Sequence, residues 1–550
     1  MLLYREISRI LSFYIYFLAG VLLIPLGLAI YFQELALPEL HPQPHSVSAF
    51  ATTIVICLFV AFALQMCGAS ARGRYYKREA LALVVVIWFF SAFIGGLPFY
   101  FSGTFDSMID CYFEAMSGLT TTGATVIQAK ALDPLTGQEL AIERSFSDLY
   151  DVAYRFYGTV DSVIDPETEM VLYTGVEAIG KALLFWRSFM QWLGGMGIVV
   201  LFVAVLPALG VGGKALYQAE VPGPVKDTLT PRIKETASLL WKIYLGFTIL
   251  EISLLTFTNK EMPLFDAVCT TFSTVSTGGF SVRNQSIASY ANHATQWVVI
   301  GCMLLGSINF SLYFQVLKGK LYRFWEPEFI VYMSIIAVSC GLCIWNLIGT
   351  PQHFLDGTTA KSYSWGDAIR DGCFQSISAQ TSTGFSTANY DLWPFINQVQ
   401  MLIVMYIGSM AGSTGGGIKI IRHIMVFRIV QNRIESLFRP NAITTVRVGT
   451  REVTTGAAIT VLSFLMVVIS MSVLGTLLLA LDGVDPETAL ATTTCMINNI
   501  GIAFRMGGPT ESFAFLSPLA KMGSTVWMVA GRLEFFAVLV VLVPRFWRDT

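Results

Sequence analysis

The sequence predicts an all-α integral membrane protein: ten transmembrane helices, arranged as a two-helix N-terminal unit followed by four repeats of outer helix, pore half-helix, loop and inner helix. Three observations predict it. Hydrophobic residues make up 54% of the chain and charged residues 13%, against roughly 25% charged residues in a soluble globular domain; mean hydropathy is +0.62. Long apolar runs lie near 11–31, 50–68, 79–101, 182–208, 238–258, 295–317, 327–349, 395–430, 453–481 and 519–544, each able to supply one crossing. Four short Gly-containing tracts interrupt the apolar sequence: Thr121-Thr122-Gly123-Ala124, Ser276-Thr277-Gly278-Gly279, Ser382-Thr383-Gly384-Phe385 and Asn499-Ile500-Gly501-Ile502. Irregular backbone at membrane depth is tolerated only where protein buries it or water reaches it, so four copies predict one path ringed by carbonyls.

The N-terminal unit covers 1–75. Its first apolar run of about 20 residues is too long for a signal-peptide core and has no small-residue cleavage site, so it reads as a retained span. Repeat 1 covers 76–210 with an insertion at 126–181, repeat 2 covers 211–320, repeat 3 covers 321–435 and repeat 4 covers 436–550. Amphipathic segments at 108–121, 265–276, 370–382 and 486–498 are too short to span, and each ends at a tract. Asp110 lies thirteen residues before Gly123, Asp266 twelve before Gly278, Asp371 thirteen before Gly384 and Glu487 fourteen before Gly501. An acid in the first turn suits the positive end of a helix dipole, and the negative end then points at the path, which favours a cation.

Basic residues set the orientation. Arg72, Arg74, Lys77 and Arg78, then Lys214, Lys226, Arg232 and Lys234, then Lys318, Lys320 and Arg323, then Arg433, Arg439, Arg447 and Arg451 fall in alternate loops. The positive-inside rule makes those loops and both termini cytoplasmic, so the tracts enter from outside. The outer loops carry Glu34, Glu39, Asp482 and Asp485, and the insertion adds Asp133, Glu139, Glu143, Asp148, Asp151, Asp161, Asp165, Glu167 and Glu169. This is either a vestibule that concentrates cations or a solvated acidic loop. The length of the insertion predicts a small ordered cap.

Enzyme classes find no support. HExxH, GxSxG, Walker and GxGxxG patterns are absent, and His41, His45, His293, His353 and His423 form no ligand pattern. The nine cysteines are scattered, and Cys340 and Cys343 read as two small residues on one turn of a buried helix. The net charge of −2 points to no nucleic acid.

In the eighth crossing, Gly412-Ser413-Thr414-Gly415-Gly416-Gly417 divides the apolar run. Each Gly costs a helix about 1 kcal/mol relative to Ala, so two half-helices and a loop are expected, with a passive kink as the alternative. Lys419 follows the break, and Arg532 lies inside the tenth crossing. An Arg near the bilayer centre must face protein or water. Glu534, two residues on, points to a different helix face. Arg187, near the outer end of the fourth crossing, is either an interfacial anchor or a support for a pore helix.

These motifs carry a family resemblance. SGLTTTGAT (117–125), FSTVSTGGFS (272–281), AQTSTGFST (379–387) and MINNIGIAF (496–504) are similar to the four filter loops of the TrkH/KtrB superfamily of potassium-uptake proteins. FWRSFMQWLGGMGI (185–198), GSMAGSTGGGIK (408–419) and GRLEFF (531–536) resemble the same family, so the likeness covers 79–544, and the two leading spans resemble its Trk branch.

The resemblance implies a single chain imitating a tetrameric potassium channel, working as a homodimer in a bacterial inner membrane with a cytosolic RCK-type nucleotide-binding subunit. This chain would bind no cofactor; potassium is the transported ion, and any nucleotide acts through the partner. Thr121, Thr122, Gly123, Ala124, Ser276, Thr277, Gly278, Gly279, Ser382, Thr383, Gly384, Phe385, Asn499, Ile500, Gly501 and Ile502 would line the filter. There carbonyl oxygens replace the ion's hydration water. In the fourth tract Ile500 stands in place of Thr, and Ile502 where the family often has Pro.

The resemblance also makes the broken loop a gate below the filter: Gly412, Ser413, Thr414, Gly415, Gly416, Gly417, Lys419 and Arg532. Arg532 is either a positive barrier in the pore or a structural donor to carbonyls of the broken helix. The expected function is passive potassium conduction, with a secondary symporter coupled to sodium or protons as the alternative.

Overall fold

The structure, a computed structural model, describes residues 4–35, 45–71, 77–133, 136–145, 152–165, 168, 170–197, 233–360, 362–439, 446–449 and 451–547. Arg72, Arg74, Lys214, Lys226, Arg232, Glu39, Asp148, Asp151, Glu167, Glu169 and the 198–208 part of the fourth apolar run lie outside the described residues.

The chain is mostly helical and forms a multi-pass membrane protein. Among the described residues, six helices are long and apolar enough to cross a membrane, and a bent pair makes a seventh. They differ in what they face. The window in Arg78–Phe101 is 72% buried, wedged between the N-terminal pair and the centre, whereas those in Ser46–Cys67 and Thr455–Leu481 are 28% buried. Apolar side chains left outward on these helices suit a lipid solvent.

Four short helices stand between the long ones: Met108–Leu119, Leu264–Val275, Trp365–Gln380 and Pro486–Asn498. Ser107, Ser364 and Asp485 cap three of them by accepting from first-turn N–H groups. The third starts at Trp365 rather than 370, so Asp367 occupies its first turn. Asp371 lies one and a half turns in, and the expectation that it meets the positive helix end is corrected.

The inner helices are broken more often than expected. The 295–317 run is two helices, His293–Ser307 and Phe310–Leu317, bent by 93°. The 519–544 run stops at Arg532 and resumes at Phe536 through Glu534 and Phe535, both at φ 58°. The expected break in the 395–430 run is present: Phe395–Tyr406 and Ile420–Phe438 flank a loop. In repeat 1, Lys181–Gly195 is the described part of the inner helix. Hydropathy is blind to these breaks because the freed backbone groups still find partners: locally at 533–535, where Phe535 N–H turns back to the Ala530 carbonyl, and between elements at the other two. Met410 N–H donates to the Ser307 carbonyl at 3.2 Å, Thr414 N–H to that of Gly306 at 3.2 Å, and Phe310 N–H to that of Gly412 at 3.0 Å. The loop of repeat 3 thus satisfies the break in repeat 2. Asn309 restarts the helix by accepting from Ser311 N–H.

The described residues of the insertion form antiparallel pairs, 131–132 with 139–140, 142–145 with 153–156, and 163–164 with 171–173.

Candidate ion site

After each short helix the chain turns left-handed twice, at alternate residues: Thr121 and Gly123, Thr277 and Gly279, Ser382 and Gly384, Asn499 and Gly501. Only glycine adopts the second of these turns without strain. This fixes the register and corrects one expectation. In repeat 2 the counterpart of Gly123 is Gly279, not Gly278, so Phe280 stands where Ala124, Phe385 and Ile502 stand. Ser276 falls outside the set as the helix cap, its hydroxyl donating to the Phe272 carbonyl at 2.6 Å. In that register Asp266 is thirteen residues before its glycine, as Asp110 and Asp371 are. The repeated Gly-Phe-Ser of 279–281 and 384–386 was the signal for it.

The four tracts meet in a closed ring. A side-chain carbon built on Gly123 would fall within 3.0 Å of the Gly278 carbonyl oxygen, on Gly279 of the Thr383 oxygen, on Gly384 of the Ile500 oxygen, and on Gly501 of the Thr122 oxygen. Each glycine therefore abuts the carbonyl of the residue before its counterpart in the next repeat, and the fourth returns to the first. Of the sixteen expected residues, only Gly123, Gly279, Gly384 and Gly501 keep partial exposure, and the other twelve are buried. What these four residues expose is backbone, with no side chain to supply charge.

The ring is held from behind and is not fourfold symmetric. Gln191 Nε2 donates to the Gly278 carbonyl at 2.6 Å while its Oε1 accepts from Phe280 N–H at 3.1 Å. Asn499 Nδ2 donates to Thr122 Oγ1 and to the Met528 carbonyl, both at 2.9 Å. Arg187 is the support for a pore helix and not an interfacial anchor. Its Nε meets Glu114 at 2.6 Å with side chains 3% and 0% exposed, its Nη1 donates to the Ser281 carbonyl at 2.8 Å, and its guanidinium lies 3.5 Å from the Phe280 ring centre. Glu114 also accepts from Val126 N–H at 3.0 Å and from Thr125 Oγ1. A buried pair is tolerable when its remaining valences are filled in this way. Sequence reading missed Gln191, Glu114 and Phe280; a Gln and an Arg on one face of an apolar helix were the available hint.

Against the ring lies the loop 407–419, which touches repeats 2, 3 and 4 and meets repeat 1 through Arg532. Thr414 Oγ1 donates to the Val275 carbonyl at 3.1 Å, and Gly416 N–H donates to Ser382 Oγ. Side-chain carbons on Gly415 and Gly416 would run into Ser409 and the Asn498 carbonyl, so close approach requires glycine at both. Arg532 completes the assembly. Its Nη1 donates to Thr121 Oγ1 at 3.1 Å and to the Thr414 carbonyl at 2.8 Å, and its Nη2 to the Gly194 and Gly195 carbonyls at 2.6 and 2.7 Å. Buried Lys419 donates to the Gly415 carbonyl and to Ser409 Oγ. Glu534 pairs with Arg422. Below, a cavity of about 100 Å3 is lined by Gly412, Ser413, Gly415, Gly416, Gly417, Lys419 and Arg532 together with Asn498 and Glu534.

Comparison with known proteins adds the family. A family described as "Cation transport protein" (TrkH) matches residues 165–548. The Trk system potassium uptake protein TrkH of Salmonella typhimurium is 31% identical over 553 residues, covering 99% of this chain and all of that one. TrkG of Escherichia coli K12 is 29% identical over 99% of both. The crystal structure of the potassium transporter TrkH from Vibrio parahaemolyticus aligns with a TM-score of 0.77 at 29% identity, covering 99% of this chain and 100% of that one. Family and fold agree with a transport protein and not an enzyme: the chain belongs to the TrkH family of cation transport proteins.

Proposed function

We propose that the protein takes up potassium through the ring of Gly123, Gly279, Gly384 and Gly501, as a passive conductor gated by the loop 407–419 and Arg532. The closed ring of glycines against carbonyls carries the reading. A potassium ion sheds water only where oxygens replace it, and a backbone-lined constriction at membrane depth offers them. The curated relatives named as potassium uptake proteins supply the ion. In this reading ten crossings form four repeats over 76–210, 211–320, 321–435 and 436–550 behind a two-helix unit, with both termini on the cytoplasmic side of a bacterial inner membrane. The relatives' printed names place them in a Trk system, which favours further components. We infer a homodimer and an RCK-type subunit that brings the nucleotide, with no cofactor on this chain.

The bonds of Arg532 to carbonyls of two elements beneath the ring support a latch as much as an electrostatic barrier: a fixed cation and a tied loop lie on the same axis. Gln191 occupies one of the four carbonyls, and Ile500 and Gly278 lack the hydroxyl that Thr122 and Thr383 carry, so discrimination between potassium and sodium is expected to be modest.

Reversal potentials of the purified protein in planar bilayers under bi-ionic conditions test the reading. Conduction predicts reversal at potentials set by potassium alone. A reversal that also moves with a sodium or proton gradient selects the coupled symporter, and no potassium current or flux in any condition overturns the proposal.

A further inference from the structure

The chain links repeats 1 to 2, 2 to 3 and 3 to 4 covalently, but nothing covalent joins 4 back to 1. At that seam the acid of the first short helix is held from another repeat, where its counterparts in repeats 2 and 3 are held from their own. Asp266 of the second short helix is held by Arg283 and Tyr290 of its own repeat, and Asp371 of the third by Gln352 and Arg370 of its own. Asp110 of the first is held instead by Lys521 of repeat 4 at 2.6 Å. Reciprocally, Tyr154 of the repeat 1 insertion donates its hydroxyl to Asp485 Oδ2 at 2.5 Å, and the same hydroxyl accepts from Asp485 N–H at 2.9 Å.

Asp485 is the residue whose Oδ1 caps the fourth short helix, accepting from Glu487 and Thr488 N–H at 3.1 and 3.0 Å. One phenol thus fixes the cap from which that helix runs down to Asn499. Burial, and then the bond to Asp485, pushes the phenol well above its ordinary pKa, so it remains a donor. The strand pair 142–145 with 153–156 that presents Tyr154 is seated on the chain after the fourth tract. The Tyr154 ring packs edge-on against Phe515 at 5.4 Å, and Arg144 pairs with Glu511 at 3.2 Å. Below the hairpin, Phe513 N–H donates to the Thr125 carbonyl at 2.8 Å, just beyond the first tract.

We propose that the strand pair 142–145 with 153–156 is a clasp closing the repeat 4 to repeat 1 seam, and that Tyr154, through Asp485, is a positioning residue for the fourth tract and hence for ion discrimination. The inference rests on reading the four tracts as an ion filter. It gives the insertion a mechanical role in place of an electrostatic one. The fourth tract is the one whose side chains depart furthest from the other three, and the cap of its short helix is held by a side chain of repeat 1.

The test is the potassium-to-sodium permeability ratio of the full-length purified protein, measured with its thermal stability. Tyr154→Phe removes one donor and one acceptor and keeps the ring; it should lower the ratio by roughly threefold to tenfold while potassium current persists. Arg144→Glu should lower the ratio as well, and the swap Arg144→Glu with Glu511→Arg should restore it, which keeps the clasp testable if Tyr154→Phe does not fold. Unchanged ratios in Tyr154→Phe and Arg144→Glu, with or without a loss of stability, would overturn the clasp and leave the filter standing. A wild-type protein with no cation discrimination would remove the filter first and the clasp with it.

Discussion

The ring and the loop beneath it lie in contact, yet they are built by opposite means. The ring is made four times over, each copy a short helix followed by two left-handed turns, the second at a glycine. The loop is made once, by repeat 3, and reaches across to Val275, Ser382, Asn498 and, through Arg532, Thr121. What is repeated forms the ring, and what is single lies against it. On the proposed reading, a function that must be always selective but only sometimes open would separate into these two parts, because changing one loop need not disturb four.

Substitutions that add a carbon to the ring should break that comparison most severely. Gly279→Ala and Gly384→Ala place a Cβ against a carbonyl and force a left-handed turn on an L-residue, costing about 1–2 kcal/mol in the turn alone. Potassium flux should fall by at least on the order of tenfold or lose its discrimination, as read by rubidium and sodium competition in vesicles. Next in size is Glu114→Gln, which leaves Arg187 buried without its counter-charge at a cost of about 3–5 kcal/mol; thermal unfolding in detergent should show a lowered midpoint, and an unchanged one would remove the pair as a support.

Arg532→Ala acts on the loop instead. It deletes four donated bonds, each worth about 1 kcal/mol or more, and should raise flux without any activating partner, on the order of tenfold; unchanged or reduced flux would make Arg532 purely structural. The smallest expected effect sharpens the register. Gly278→Ala meets only the Gln191 side chain and has no left-handed turn, so it should impair transport less than Gly279→Ala. Equal or greater damage at 278 would return the ring to the other alignment.

Much of the ring was legible, because repetition is visible without structure: the four tracts, their short helices and the first-turn acids Asp110, Asp266 and Glu487. The slip in repeat 2 came from the Gly278-Gly279 doublet, where residue type could not tell which glycine turns left-handed. The third short helix was set too late because Asp367 and Asp371 both offer a first-turn acid and only the Ser364 cap decides. The loop was found from its three glycines, but the breaks at 308–309 and 533–535 were not. Ile308 and Phe535 look like continuous span; the first break is made tolerable by backbone groups of the loop 407–419, the second by local bonds such as Phe535 N–H to the Ala530 carbonyl. Gln191 and Glu114 were missed for a related reason, since a polar residue in an apolar helix does not announce which distant donor or acceptor it will meet.

The central claim is that four glycines from four repeats surround one cation site. Anomalous diffraction from crystals of the protein grown in a rubidium salt tests it most directly. The account predicts a peak on the axis between Gly123, Gly279, Gly384 and Gly501, above the loop 407–419; rubidium bound elsewhere in the membrane region, with none at that ring, would contradict it.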